Sequence, residues 1–396
     1  MNLGIYLVKS SIKADRVVFS QQFIDSLEKA LDGKVTTVDE QSFIKSDLRV
    51  AYISTGGSEN YFLEMYSKLT DDRPCYLLTS GHSNSLAAAM EILSYMQQHG
   101  RKGEIIHGTP EEIANRLAAL SKAVSARNTL RKMRFGVVGA PSDWLIASKT
   151  DRDALHKKLG AEFVDITMEE LLAEVSKHTY PQNKWTDLLK AQGYDSEEME
   201  KSLCIYGALR RLADNYKLGA MTVRCFDLLT AAKTTGCLGL AILNAEGIYA
   251  GCEGDVPALV SMAILGEISK KPIFMCNPSE IDTAKGEMIL AHCTLPINMP
   301  YEMSLTTHFE SGIGVAIAGS IAEGDMTIFK ASNDLSRYYV AEGTIIENLR
   351  QPNLCRSQIR IKLPDYRYFT TNPINNHHLV CTGVQADAVN EFFMSL

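Results

Sequence analysis

Short apolar runs alternate with helical patterns over residues 1–282, and this alternation constrains the fold more than any other feature. Runs such as residues 48–53 and 75–78 have the length and composition of buried strands. The segment 86–96 that follows the second of them places apolar residues at helical spacing. Strands that alternate with helices predict parallel sheets with helices on both faces.

The same pattern divides into two parts and then changes. Basic residues at 127–134 separate two α/β patterns, so we predict one domain over residues 1–132 and a second over 133–282. In this second domain we interpret residues 238–243 as a strand. From residue 283 the runs are strand-like with turns between them, until a helical pattern at 384–393. The predicted fold class is therefore α/β: two doubly wound parallel-sheet domains followed by a smaller antiparallel, barrel-like β domain over residues 283–396.

Composition argues against several classes of partner. The formal net charge is −7, and no basic tract compensates for it, so neither nucleic acid nor a membrane is expected as a partner. No apolar run is long enough to cross a bilayer. The nine cysteines form no CxxC pair, which indicates reduced, buried thiols and predicts a cytoplasmic protein.

The segment 247–293 carries the residues with the most chemical potential. Glu253 follows a glycine-rich turn, Asn277 and His292 each follow an apolar run, and His377 and His378 end a polar loop. Carboxylate, amide and imidazole ligands brought together from strand ends would bind a divalent cation. Each residue alone has an ordinary structural explanation: an acid at a helix N-terminus for Glu253, a hydrogen-bonded core residue for His292.

A second group of polar residues lies near the N-terminus. His82, Asn84 and Ser85 follow the strand at 75–78, where they would either bind sugar hydroxyls or cap the next helix. The chain has no dinucleotide fingerprint, P-loop lysine or nucleophile elbow. A thiolate site in which Cys252, Cys276 and Cys293 join His292 is a further alternative, although the irregular spacing favours buried thiols.

Several of these motifs resemble the L-fucose isomerase and L-arabinose isomerase superfamily, especially its shorter, fucose isomerase-like members. The matching segments are Met221-Thr222-Val223-Arg224-Cys225, Gly251-Cys252-Glu253-Gly254-Asp255-Val256, Pro272-Ile273-Phe274-Met275-Cys276-Asn277-Pro278, His292-Cys293, His377-His378 and Asn84-Ser85-Leu86. The resemblance spans most of the chain, and the segment around Glu253 is the most specific part of it.

The resemblance implies an aldose–ketose isomerase that uses Mn²⁺ or Mg²⁺ and acts on a free deoxyhexose or pentose. It implies a homo-oligomer in which a neighbouring subunit helps to complete the pocket. It assigns Glu253 and Asn277 as catalytic residues and metal ligands. His292 or the pair His377 and His378 completes the metal shell, and we choose His292 and His378 while the choice within the pair stays open. His377, together with His82, Asn84 and Ser85, is assigned to the substrate.

This sequence departs from the family at one acidic position. Where the family has an aspartate or glutamate, the chain has Cys276 followed by Asn277. A neutral amide is an oxygen ligand but cannot act as a carboxylate base. Either another acid, among them Asp255, Glu280 and Asp282, takes its place, or the protein is a non-catalytic or altered sugar-binding relative. A softer metal held by Cys276 and histidines is a third possibility.

Overall fold

The computed structural model describes residues 1–10 and 17–396, and its chain divides into two compact units. Unit 1 contains residues 1–124 and 391–395, and unit 2 contains residues 125–390 and 396. The strands are β1 Leu3–Val8, β2 Val35–Thr37, β3 Arg49–Ile53, β4 Cys75–Thr79, β5 Gly103–Ile106, β6 Arg134–Val138, β7 Glu162–Ile166, β8 Ala220–Val223, β9 Tyr249–Gly251, β10 Phe274–Asp282, β11 Glu287–His292, β12 Glu302–Thr306, β13 Ala316–Ser320, β14 Gly324–Ala331, β15 Tyr338–Leu349, β16 Ser357–Lys362 and β17 His378–Thr382. The helices are α1 Val17–Leu31, α2 Glu40–Lys45, α3 Glu59–Tyr66, α4 Ser85–Gln98, α5 Pro110–Leu130, α6 Arg152–Leu159, α7 Met168–Val175, α8 Lys184–Ala191, α9 Ser196–Tyr216, α10 Asp227–Ala231, α11 Cys237–Ala245, α12 Val256–Ser269, α13 Arg367–Thr371 and α14 Ala386–Met394.

Unit 1 is built on a five-stranded parallel sheet in the order β2-β1-β3-β4-β5. Alternate residues of β3 enter different apolar clusters: Val50 and Tyr52 enter one, and Ala51 and Ile53 enter the other. Because side chains alternate across a strand, the two clusters lie on opposite faces of the sheet. Both faces are therefore buried, which explains why β3 and β4 contain no exposed position.

Unit 2 begins with a four-stranded parallel sheet in the order β7-β6-β8-β9. The predicted strand at residues 238–243 is wrong, because these residues belong to the helix α11. Residues 237–243 are all buried in it, so no polar face revealed the helical period. A short, uniformly apolar run cannot be distinguished from a buried strand by periodicity alone.

The C-terminal strands of unit 2 form a closed antiparallel barrel in the order β10-β11-β16-β15-β14-β17, beside a two-stranded sheet of β12 and β13. Parallel-sheet α/β architecture followed by an antiparallel barrel confirms the predicted fold class. The exact domain boundaries remain predictions. Among the helices that the described residues form, none combines the length and apolarity needed to span a bilayer.

Candidate metal centre

A strained loop after β9 presents Glu253. Its backbone has φ of 62°, which is uncommon for a residue with a side chain. The next residue, Gly254, has φ of 69°, and a Cβ there would lie 2.5 Å from the carbonyl oxygen of Ala140. The backbone N–H of Ser142 also donates to the Glu253 carbonyl at 2.9 Å. The loops after β6 and β9 are thus held together, and Glu253 has a defined position.

Glu253, His292 and His377 converge on one point, and their ligand atoms lie within 4.8 Å of one another. They come from three separate elements: the loop after β9, the end of β11 and the residue before β17. His377 is fully buried, and its Nε2 has no hydrogen-bond partner while lying 3.5 Å from Glu253 Oε1. A buried, unsatisfied nitrogen facing a carboxylate and a second imidazole fits a divalent metal ion.

Both imidazoles are oriented through their other ring nitrogen. His377 Nδ1 donates to Asp255 Oδ2 at 2.8 Å, and His292 Nδ1 lies 2.8 Å from Thr294 Oγ1. Asp255 is itself fixed, because its Oδ1 accepts the backbone N–H of Ala258 at the start of α12. Occupied Nδ1 atoms leave Nε2 as the coordinating nitrogen of each ring, an arrangement common around bound metals.

The two histidines differ in their protonation. Burial alone would lower the pKa of His377, but pairing with Asp255 and Glu253 outweighs burial and raises it to about 9. Burial, with the charge of His377, lowers the pKa of His292 to about 3. Burial opposes ionisation of Glu253, yet pairing with His377 keeps its pKa below the usual value. Near neutral pH the metal-free cluster therefore holds a carboxylate, a neutral imidazole and an imidazolium.

A buried lysine on β14 contributes to the same charge balance. Lys330 is fully buried, and its Nζ has no hydrogen-bond partner. Burial opposes the ionisation of Asp255, but the charge of Lys330, followed by the pairing with His377, holds the pKa of Asp255 at about 2. Asp255 remains anionic where it orients His377, which makes it a supporting group for the cluster.

The cluster contains His377, which the sequence assigned to the substrate, and does not contain His378, which it assigned to the metal. His378 Nε2 lies 3.1 Å from the Tyr368 hydroxyl, and its Nδ1 lies 2.9 Å from the Asn376 carbonyl oxygen. Neighbouring residues at a strand start point to opposite sides, so only one of the pair can face Glu253. The ligand role predicted for His378 remains a prediction, although the fold brings His377 rather than His378 to Glu253.

Asn277 lies on β10, opposite Ala291 of β11. Its Oδ1 accepts a hydrogen bond from Asn376 Nδ2 at 3.2 Å. Its predicted catalytic and metal-binding roles remain predictions. Of the acids offered as substitutes, Asp282 accepts two backbone N–H groups of its own turn, whereas Asp255 contacts His377 directly.

His82, Asn84 and Ser85 lie in unit 1, between β4 and the first turn of α4. Asn84 occupies the N-cap position with φ of 57°, but its side chain makes no capping hydrogen bond. Together with Gly56, Gly57 and other residues, it lines a cavity of about 410 Å³. The predicted substrate contacts of these residues remain predictions.

Sequence reasoning assigned no role to Trp144, which contacts the cluster directly. Its Nε1 donates to Glu253 Oε2 at 2.6 Å, although about half of the side chain (52%) is exposed. Trp144 follows β6, which neighbours β8 in the parallel sheet, and the carboxyl ends of parallel strands meet at one edge. The position of Trp144 in a strand-end loop was the signal that could have identified it.

The surroundings of Cys276 do not favour the thiol alternative, and those of Cys293 differ from them. Cys276 is fully buried and its Sγ donates to the His378 carbonyl at 3.4 Å, while burial raises the pKa of the thiol. Cys293 packs in a small apolar cluster with Cys237 and Ala316. Cys276, a buried thiol with no cation to activate it, behaves as a core residue. Hydrogen bonding to Cys355, with the charge of Arg356, instead lowers the pKa of the Cys293 thiol.

Comparisons with known proteins give distant relatives. No family model matches the chain. A sulfoquinovose isomerase from Priestia aryabhattai is 22% identical over 286 residues, which cover 68% of this chain and 64% of that protein. Another, from Clostridium sp. (strain MSTE9), is 27% identical over 223 residues, which cover 53% of this chain and 49% of that protein. The match thus spans between about half and two thirds of these curated relatives.

A solved structure, the crystal structure of CapF with inhibitor 3-isopropenyl-tropolone, aligns with 96% of this chain at 10% identity. Its TM-score of 0.17 is too low to indicate a shared fold.

Proposed function

We propose that the protein is a sugar aldose–ketose isomerase whose divalent cation is held by Glu253, His292 and His377. The convergence of these three side chains, with the unsatisfied Nε2 of His377 among them, carries the proposal. The similarity to sulfoquinovose isomerases supports the same class of reaction. Two imidazoles in the donor set favour Mn²⁺ over Mg²⁺, which prefers oxygen ligands.

The reaction chemistry follows from this donor set. Isomerisation through an enediol moves a proton between C1 and C2 and places negative charge on the sugar oxygens. A bound cation would supply the charge that stabilises those oxygens. Oε2 of Glu253 accepts a hydrogen bond from the Trp144 indole, and Oε1 faces His377 Nε2. It supplies the carboxylate for proton transfer, and the indole bond fixes its orientation.

The test is ketose formation by the full-length protein with added manganese. The panel contains L-fucose, other deoxyhexoses, pentoses and sulfoquinovose, and product is measured by chromatography. We expect one of these sugars to be converted, with activity lost on chelation and restored by manganese. Absence of any turnover from folded protein that binds manganese would contradict the proposal.

A non-catalytic sugar-binding protein is the second candidate function, and Asn277 is the observation that favours it. An amide replaces one acid of the related family, so a site that retains its shape could bind sugar without isomerising it. Under this alternative, a sugar raises the melting temperature by binding the native state, and no ketose appears.

Asn277→Asp separates a ligand position from a position outside the metal shell. If the side chain faces the ion, a carboxylate adds negative charge there, so manganese should bind more tightly, by about tenfold for a gain of 1.4 kcal/mol. Isothermal titration of both proteins with manganese measures the difference. Asn376→Asp is the matched control, since Asn376 donates to Asn277 and is placed outside the cluster. Equal affinities in N277D and wild type would remove Asn277 from the metal shell.

A further inference from the structure

Isomerisation needs two proton transfers, and the metal cluster contains one carboxylate. One proton leaves C2 and ends on C1, while another leaves O2 and ends on O1. Glu253 is the single acid among the three proposed ligands. Asp255 is fully buried and committed to His377 and to the start of α12. The second proton transfer therefore requires a group outside the three-ligand cluster.

His308 lies in the loop between β12 and β13, and this loop is held firmly. Its backbone N–H donates to the Ile313 carbonyl at 3.1 Å, and its carbonyl accepts from Gly312 at 3.0 Å. Thr307 directly precedes His308, and its backbone oxygen and its hydroxyl both accept hydrogen bonds from the Arg356 guanidinium. His308 is only 8% exposed, so the surrounding residues hold the imidazole in a defined position.

A continuous set of aromatic contacts joins His308 to Glu253. The His308 ring packs edge-on against Phe226, with ring centres 5.8 Å apart. Phe226 packs edge-on against Trp144 at 4.9 Å, and Trp144 donates to Glu253 Oε2. These contacts connect His308 to Glu253 through Phe226 and Trp144, while His308 remains outside the three-ligand cluster.

A charged group of the metal cluster acts on His308, together with the neighbouring Arg356. Burial and the nearby Arg356 lower its pKa, and the charge of Glu253 opposes them. His308 in turn adds to the lowering of the pKa of His292. Burial, followed by the charge of Glu253, raises the pKa of Glu310. His308 Nε2 lies 3.9 Å from Glu310 Oε2, beyond hydrogen-bond distance, and Nδ1 lies 3.0 Å from Ser311 Oγ. The ring is oriented through Nδ1, as expected of a group that transfers protons at Nε2.

We propose that His308 is the second catalytic residue, transferring the proton between O2 and O1 of the sugar while Glu253 transfers the proton between C2 and C1. This role rests on the proposed isomerase function. In the aldose-to-ketose direction Glu253 removes the C2 proton, and neutral His308 takes the O2 proton. The imidazolium so formed gives that proton to O1, and Glu253 returns its proton to C1 as the C2 carbonyl forms. The electron pair of the C2–H bond ends in the new C1–H bond, so no oxidant or reductant takes part.

The test compares His308→Gln with wild type in the full-length manganese-loaded protein. Glutamine keeps a polar side chain at this position but cannot transfer a proton at neutral pH. We expect turnover of the converted sugar to fall by about 10²–10⁴-fold, with manganese affinity unchanged. A sugar deuterated at C2 gives the decisive readout. Exchange of that deuterium with solvent should persist and outpace ketose formation, because Glu253 still acts on carbon.

Two controls make the outcome specific. His156→Gln changes a histidine of α6 whose Nδ1 lies 3.1 Å from the Ala161 carbonyl oxygen, and it should turn over like wild type. His308→Asn is a second variant, and manganese titration establishes that the site is intact in the variant assayed. Equal loss of exchange and ketose formation, or full turnover in either variant, would overturn the role of His308 alone. A wild-type protein that binds manganese and converts no sugar would overturn the isomerase function together with it.

Discussion

Glu253→Gln is expected to reduce turnover of the converted sugar by about 10²–10⁴-fold and to weaken manganese binding. Glutamine preserves the shape of the side chain and an oxygen that can accept the Trp144 indole bond. It removes the negative charge that faces the cation and His377, and with it the single carboxylate of the three-residue cluster. Steady-state kinetics and manganese titration of the purified variant measure the two losses separately.

Glu246→Gln is the matched control for this substitution. Glu246 is also a partly buried carboxylate of unit 2, and it accepts hydrogen bonds from Tyr206 and Asn183 at 2.7 and 3.0 Å. Its amide variant tests whether loss of any such carboxylate disturbs the fold. Turnover of E253Q equal to that of E246Q would exclude Glu253 from the chemistry.

Manganese affinity is expected to rise steeply with pH, by about tenfold per unit while His377 remains protonated in the metal-free protein. Coordination requires neutral imidazole, and pairing with Asp255 and Glu253 raises the pKa of His377 to about 9. Each bound ion should therefore displace about one proton below that pH. Titrations between about pH 6.5 and 8.5, repeated in buffers of different ionisation enthalpy, measure the affinity and the proton release.

The metal-free protein should show the opposite trend in stability. The pKa of His377 is higher in the folded than in the unfolded state, so its pairing stabilises the fold fully below the unfolded pKa of about 6.5. This contribution is lost as the pH rises through about 9.

Asp255→Asn should lower the pKa of His377 and move the curve of manganese affinity against pH to lower pH. Affinity independent of pH would mean that His377 is not a ligand.

The local sequence was sufficient for most of the fold. Buried strands such as β3 and β4 are apolar throughout because both faces of a parallel sheet are covered. From residue 283 the sequence changes from alternating strands and helices to successive strand-like runs, and this change predicted the barrel-like domain. The strand prediction was wrong at α11, because residues 237–243 are buried on every side and show no polar face that would mark a helix.

The candidate site was only partly predictable. The segment around Glu253 and the histidines at 292 and 377–378 could be selected, since carboxylates and imidazoles beside apolar runs are suited to metal binding. The choice between His377 and His378 could not be made, because it depends on which side of β17 faces the loop after β9. Trp144 contacts Glu253, and His308 is linked to Trp144 through Phe226. Their loops are far apart in the chain, and no local pattern connects them.

Residue types and their periodicity thus determined the α/β and barrel architecture, together with an inventory of side chains able to bind a cation. Only the tertiary structure decided which of those side chains meet. Secondary structure depends on neighbours a few residues away, whereas a metal site depends on distances between segments that are far apart in the chain. Those distances are set by how sheet edges and barrel ends pack, which the order of the residues does not display.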